Sequence, residues 1–527
     1  MPCNHTECEC RVYSIDIGNR IYANIDRNPG YPKFGSRPAE AIEELFKEKF
    51  GLHCGPEPQE IHGYGHPEWL PAQDSMKNRL SAPVPRPPGD RQMSDNWFTA
   101  MSRGWLLAVA TVAVLAFCLK AAIALKTIGT NDVLSWEWFL AGIRKSGALS
   151  LYHSTEVGLF NHPPFMVHLL RGLGLMTAST TLPFPFWIRL PGILADLGSL
   201  GLVGMILEPR SGQRLAALLL MAASPASVMI SGFHGNTDPV MIFFVLLSIF
   251  LIERQGSAWL AGVALGMSIN IKVWPLVFLP VVFLYYPDAP KRIACFAATG
   301  ATVLLGSMPY ILQEPLVIAR RVLGYGSIYG HWGVSRVIDG LVDLTGYFRW
   351  PNTFYYHWGK FMVLGTIIAA SFWMNRGLKK PPLFLQCGLV TFLFLTLTPG
   401  FGVQYLAWLV PWVVELGPWT ALLYYATSGI FLFLVYNFWS HGIPWYLADS
   451  WQVGGWRGYV IFFELLCWAS VLVILLRYMK YVYSLSSQGS ARNASGEETR
   501  VVAWPGVSFC VDACSLLQTH STPHNST

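Results

Sequence analysis

Between residues 105 and 480 the chain repeats one pattern about a dozen times, an apolar run close to membrane-spanning length followed by a short polar interruption. Chains built this way bury their runs against lipid, because a segment of about 20 apolar residues is what a bilayer's hydrocarbon core accommodates as a helix. The runs fall near 105–125, 187–207, 214–231, 238–253, 257–271, 273–287, 292–312, 357–374, 382–398, 403–416, 418–437 and 458–477. Charged residues make up only 13% of the sequence and hydrophobic ones 53%. A water-soluble chain carries roughly 25% charged residues, so water is excluded as the solvent for this one. The spacing predicts an all-α polytopic membrane protein of about 12 transmembrane helices.

The two ends differ from this middle. Residues 1–100 are polar and Pro-rich, with no run long enough to span a bilayer or to serve as a cleaved signal peptide. Within them 39–50 (AEAIEELFKEKF) has apolar residues at helical spacing, and 82–90 (APVPRPPGD) is a proline-rich linker. Cys3, Cys8, Cys10 and Cys54 with His62 and His66 match no C-x2-C spacing, so we read them as incidental rather than as a zinc site. Residues 484–527, rich in Ser and Thr, are expected to form a disordered tail. The expected organisation is a cytoplasmic segment 1–100, a transmembrane domain 101–483 and a cytoplasmic tail 484–527.

Charge orients the middle. With residue 100 in the cytoplasm, Arg210/Arg214, Arg254, Lys291/Arg292, Arg376/Lys379/Lys380 and Arg477/Lys480 all fall on the cytoplasmic side, as the positive-inside rule demands. These basic residues mark topology, and no nucleic-acid partner is implied; membrane lipids are. The same threading places two long loops outside, 126–186 and 313–356, carrying short amphipathic helices. The segment 163–176 (PPFMVHLLRGLGLM) is apolar enough to enter the membrane but holds His168 and Arg171, so we expect an interfacial or re-entrant helix within the first loop.

Ionisable groups inside a membrane cost several kcal/mol, about 2.5–3.5 each on insertion scales, and so mark functional sites or buried pairs. Here they gather at the outer ends of the helices: Asp132 and Glu137 in TNDVLSWEWF, Arg189 and Asp196 in RLPGILAD, His234 and Asp238 in GFHGNTDP, and Lys272 in NIKVWP. Gln404 in GFGVQYLAW lies at the same depth. Arg189 and Asp196, seven residues apart, share a helix face and could form a local ion network.

An acidic residue soon after the first span, then NHPPF at 161–165, the run 224–239 (SPASVMISGFHGNTDP), KVWP at 272–275 and GFGVQYLAWLVP at 400–411 resemble, in that order, the polyprenyl-phosphate-sugar-dependent membrane glycosyltransferases of the GT-C fold. The resemblance extends over residues 100–480. It implies an inverting transfer of a hexose, mannose or glucose, from a polyprenyl-phosphate donor to a hydroxyl of a glycan or glycolipid acceptor. The site would face the lumen of the ER or the periplasm of a bacterium.

Such a transfer needs a base for the acceptor's proton and groups that stabilise the departing phosphate. The resemblance assigns the base to Asp132, with Glu137 as the second candidate acid. Trp136 would offer a face on which a sugar stacks. Lys272, His234 and Arg189 are the cations placed to meet phosphate, and His162 and Gln404 are further substrate contacts. Some relatives carry a D-x-D pair where this chain has Asn131-Asp132 with Glu137 five residues on, so no cofactor is fixed. A divalent cation held by Asp238 and Glu137 is the one candidate. Trp332 in GHWGVS is expected in an interfacial belt or beside substrate. Two other classes fit the apolar pattern: a secondary transporter, which should show internal repeats and broken helices at the midplane, and a non-enzymatic assembly subunit. No repeat is visible, and the polar residues lie at one face.

Overall fold

The computed structural model describes residues 103–154, 160–207, 212–376, 380–451 and 455–495. The expectations for residues 1–100 and for 496–527 lie outside the described residues. The rest is almost entirely helical, and six helices are long and apolar enough to cross a membrane: Gly104–Lys126, Phe184–Leu207, Gly212–His234, Ala289–Ile311, Pro418–Trp439 and Gly458–Leu485. The chain is a multi-pass integral membrane protein.

Other expected runs are helical but short or broken. Asp238–Glu253 and Ala258–Ile271 stop after 16 and 14 residues, and the run predicted at 273–287 becomes a 3-10 turn, Trp274–Phe278, followed by Leu279–Tyr285. Pro275 and Pro280 lie at the start of those two pieces, where a missing N–H does least harm. The run at 403–416 forms two 3-10 helices, Val403–Leu409 and Trp412–Leu416. Pro411 stands between them. The last helix, Gly458–Ser495, continues past residue 483.

We label the helices used below α1 (Arg103–Lys126), α2 (Asn131–Ser146), α3 (Ala148–His153), α4 (Phe165–Ser179), α5 (Phe184–Leu207), α6 (Gly212–Ala222), α7 (Asp238–Glu253), α8 (Ala258–Ile271) and α9 (Leu279–Tyr285). After them come α10 (Ala289–Ile311), α11 (Pro315–Leu323), α12 (Gly333–Thr345), α13 (Arg349–Asn375), α14 (Leu383–Leu397), α15 (Pro418–Trp439) and α16 (Gly458–Ser495). A π-helix, Val228–His234, closes the third span.

The first long loop thus folds into α2, α3 and α4, and the second into α11 and α12. Each loop is tied down by a two-residue β pairing. Gly129–Thr130 runs parallel to Leu447–Ala448, and Ile328–Tyr329 pairs antiparallel with Gly400–Phe401. The segment expected at 163–176 forms α4, with Met166, Val167 and Leu170 buried and His168 exposed against Tyr310. Trp332 is neither a belt residue nor a substrate wall: it is fully buried, donates to Leu395 O at 2.7 Å and stacks on Phe401.

At the face where α5 and α9 end, the basic residues have a local task. Arg254 donates to Met205 O, Arg214 to Leu207 O, Lys380 to Leu284 O at 2.6 Å, and Arg292 to Tyr286 O at 2.6 Å. Each places a cation on carbonyls that a helix C-terminus leaves without partners, where the helix dipole favours positive charge. At the same face Glu253 accepts from Phe384 N, at the N-terminus of α14, with the complementary sign.

Candidate active site

The opposite face, where α1 ends, gathers the remaining polar residues, and the backbone there is shaped to bring three segments together. Gly129 lies at φ +105°, and a methyl on it would sit 2.3 Å from Phe233 O. Gly235, at φ +83°, would put one 2.2 Å from Val133 Cγ2. Both positions need glycine for its left-handed backbone and for its lack of bulk. They allow the loop after α1 to lie directly against the C-terminal end of the π-helix. Thr130 fastens the junction. Its hydroxyl donates to His234 O at 2.7 Å and accepts from Asp132 N at 3.3 Å, so Thr130 caps α2 and Asp132 is left free of that duty.

Asp132 therefore stands in the first turn of α2 with its Oδ2 facing the π-helix. Asn236 Nδ2 donates to Oδ2 at 2.7 Å, and His234 Nε2 lies 3.0 Å from it. The other imidazole nitrogen, Nδ1, is 3.0 Å from the Tyr436 hydroxyl. A tyrosine donating to Nδ1 leaves the hydrogen on Nε2, where it points at the carboxylate. Burial opposes the charge on Asp132, but His234, Asn236 and Lys272 together outweigh it and hold the carboxyl below its ordinary range. Asp132 is ionised at neutral pH, and its side chain keeps 30% of its surface open.

The second centre is Lys272, at the C-terminal end of α8. Its ammonium donates to Asp238 Oδ1 at 2.8 Å and Oδ2 at 3.0 Å, and it lies 5.1 Å from the Tyr405 ring centroid and 5.5 Å from that of Trp408. Asp238 is fully buried and also accepts from Trp408 Nε1. With its carboxylate committed to Lys272 and Trp408, Asp238 is an orienting group rather than a free ligand. His162 lies within electrostatic reach of both Lys272 and Asp132. Burial first and Lys272 second push its imidazole down to about 3, so it is a neutral donor and acceptor. The Tyr405 hydroxyl meets Ser327 and Tyr325, which brings the second long loop to the same cleft.

The other expected site residues are placed differently. Arg189 meets no open space: it is 1% exposed, and its guanidinium donates to Pro185 O, Ala124 O, Gly232 O, Phe233 O, Thr127 O and Thr127 Oγ1. It joins α1, α5 and the π-helix, which leaves no donor for phosphate. Nor does it share a network with Asp196, which pairs instead with Lys120 at 2.6 Å. Trp136 is buried with its ring against His162 at 4.5 Å, so it supports that histidine and presents no face to a sugar. Trp138 is the exposed ring, stacked on Trp451. Glu137, half-buried, is pushed up by burial and lies 140° round the helix from Asp132, off its face. Gln404 folds over Gly402. Among the described residues no three His, Cys, Asp or Glu side chains converge as a metal site would require.

Asn236, Tyr405, Trp408 and Tyr436 were not singled out from the sequence. The first three lie inside motifs that were, whereas Tyr436 sits in an apolar run with nothing to mark it.

Residues 230–334 match the family model described as mannosyltransferase (PIG-M). The likeness of this segment is to mannosyltransferases. The matched segment holds His234, Asn236, Asp238, Lys272, Tyr325 and Ser327. The chain is also 26% identical over 126 residues to GPI mannosyltransferase 1 of Schizosaccharomyces pombe, which is 24% of this chain and 33% of that protein. With GPI mannosyltransferase 1 of Debaryomyces hansenii it shares 28% over 93 residues, 18% of this chain and 22% of the relative. The chain thus spans a third or less of the curated relatives it matches.

Proposed function

We propose that the chain is an inverting mannosyltransferase that takes mannose from a polyprenyl-phosphate donor and passes it to a hydroxyl of a glycan or glycolipid acceptor at the lumenal face of the ER membrane. The observation that carries this is an accessible Asp132, held through Oδ2 by His234 and Asn236, on the same face as a Lys272 held by the buried Asp238. In the proposed reaction the acceptor oxygen attacks the anomeric carbon, its proton passes to Asp132, and the bond from that carbon to the phosphate oxygen breaks on the opposite side. Among the described residues both hydrogen bonds to Asp132 end on Oδ2, which leaves Oδ1 for the acceptor. Lys272 uses two of its three N–H groups on Asp238, and the third meets the charge that develops on the leaving phosphate. His162 and Tyr325 lie within electrostatic reach of both Asp132 and Lys272.

The mannosyltransferase match supports mannose as the sugar. The clustering of helix-capping cations at one face and of the site at the other supports the orientation in which α1 enters from the cytoplasm. On that reading the shorter apolar helices complete about twelve crossings, and the segments before 100 and after the last span are cytoplasmic.

The test is turnover and donor affinity of Asp132→Asn beside Glu137→Gln. Loss of turnover in Asp132→Asn alone, with donor affinity kept, supports the assignment. Loss in Glu137→Gln alone would move the base to Glu137, and full activity in both would end this mechanism.

A further inference from the structure

Between α1, α5 and the π-helix, at the wall of a small cavity, Lys120 and Asp196 form an ion pair whose side chains are 5% and 18% exposed. Asp196 Oδ2 also accepts from Ser227 at 2.6 Å and from Ser231, and Lys120 donates a second bond to Ser227 at 2.7 Å. Both serines belong to the end of the third span. Ser227 precedes the π-helix and Ser231 lies within it. Gly232 completes the contact, because a methyl there would fall 3.1 Å from Lys120 Cα.

A π-helix is a strained local choice, its hydrogen bonds spanning five residues where those of the preferred α-helix span four, and it persists where other contacts impose it. Rewinding this segment as α-helix would shift its C-terminal end by a residue, a rotation of about 100°. His234 is the last residue of the π-helix and bonds Asp132. An apolar pair in place of a buried ion pair is commonly as stable or more so, so stability alone does not account for Lys120 and Asp196.

We propose that Lys120 and Asp196 are positioning residues, which clamp Ser227 and Ser231 so that the π-helix delivers His234 and Asn236 to Asp132. This rests on the assignment of Asp132 as base. The clamp touches neither substrate nor Lys272, which Asp238 and Trp408 anchor separately. Its loss should therefore lower kcat and leave the donor KM nearly as it was.

The experiment measures mannose transfer from polyprenyl-phosphate mannose by the full-length protein carrying Lys120→Met with Asp196→Leu, a swap that removes both charges together. The expected result is a melting temperature equal to or above wild type, a donor KM within about threefold and a kcat lower by about 10²-fold, the loss typical of a misplaced catalytic group. Lys120→Arg, which keeps the pair, should retain most of the turnover. Wild-type kcat in the double variant, with Asp132→Asn inactive in parallel, overturns the proposal. If the double variant does not fold, Ser227→Ala with Ser231→Ala removes only the clamped hydroxyls, and normal kcat there overturns it equally. Activity in Asp132→Asn would instead defeat the assignment of the base, and the proposal with it.

Discussion

Arg189 and Lys272 occupy the same end of the bundle and carry the same charge, yet they do opposite work. Arg189 has its guanidinium spread over five backbone carbonyls and one hydroxyl, and almost none of its surface is open. Lys272 has one carboxylate partner, two aromatic rings nearby and a side chain that is 15% exposed. A cation whose donors are exhausted can only fix backbone, whereas one with a donor to spare has the capacity to meet a ligand. The contrast teaches that charge and depth in the membrane do not by themselves identify a functional residue; the count of remaining hydrogen-bonding capacity does.

The comparison breaks most sharply under substitution. Lys272→Met, made together with Asp238→Asn so that no buried carboxylate is left unpaired, should lower turnover by about 10²–10³-fold, as expected when one donor to transition-state charge is lost, with expression and melting temperature little changed. Arg189→Met should do the reverse, destabilising the protein by upwards of about 3 kcal/mol because several carbonyls lose their donor at about 1–3 kcal/mol each. Turnover per folded molecule would suffer less than in the Lys272→Met double variant. Thermal denaturation in detergent beside a transfer assay separates the two, and equal behaviour of the variants would erase the distinction.

A smaller effect should appear in the pH profile. Asp132 must be ionised to accept a proton, and its carboxyl titrates below the ordinary range, so transfer should hold as pH falls toward about 4. His234→Gln and Asn236→Leu each remove a group that favours the charged form, which lets burial dominate and raises the carboxyl's titration. The acid limb of kcat should move upward in both variants. An unmoved limb would mean that another group governs it.

The smallest effect belongs to the opposite face. Arg254→Ala removes a cation from the end of α5 and should cost about 0.3–1 kcal/mol of stability with no change in turnover. Melting temperature and transfer measured on one preparation check both halves.

The apolar periodicity made the class of fold legible, and the helices at 238–253 and 418–437 were placed closely, because hydrophobic length is a property of local sequence. What local sequence did not reveal was continuity: prolines at 275, 280 and 411 turned two predicted spans into 3-10 and short α pieces. At the site, motif order brought out Asp132, His234, Asp238 and Lys272, which the structure joins in two hydrogen-bonded pairs, Asp132 with His234 and Asp238 with Lys272. The residues that lie elsewhere than expected share one cause. Arg189 and Trp136 were assigned by residue type, and their partners are carbonyls and rings contributed by segments far away in sequence. Tyr436 was missed for the same reason, since its role is defined only by a histidine 202 residues away.

The central claim is that this cleft moves mannose from a lipid-linked donor. Purified protein in lipid nanodiscs, given radiolabelled polyprenyl-phosphate mannose, polyprenyl-phosphate glucose and nucleotide-linked mannose in parallel with a glycolipid acceptor, tests it directly. The account predicts transfer from polyprenyl-phosphate mannose alone, with inversion at the anomeric carbon and loss of the product in Asp132→Asn. Transfer from the nucleotide-linked sugar, or product whose anomeric configuration is retained, would contradict it.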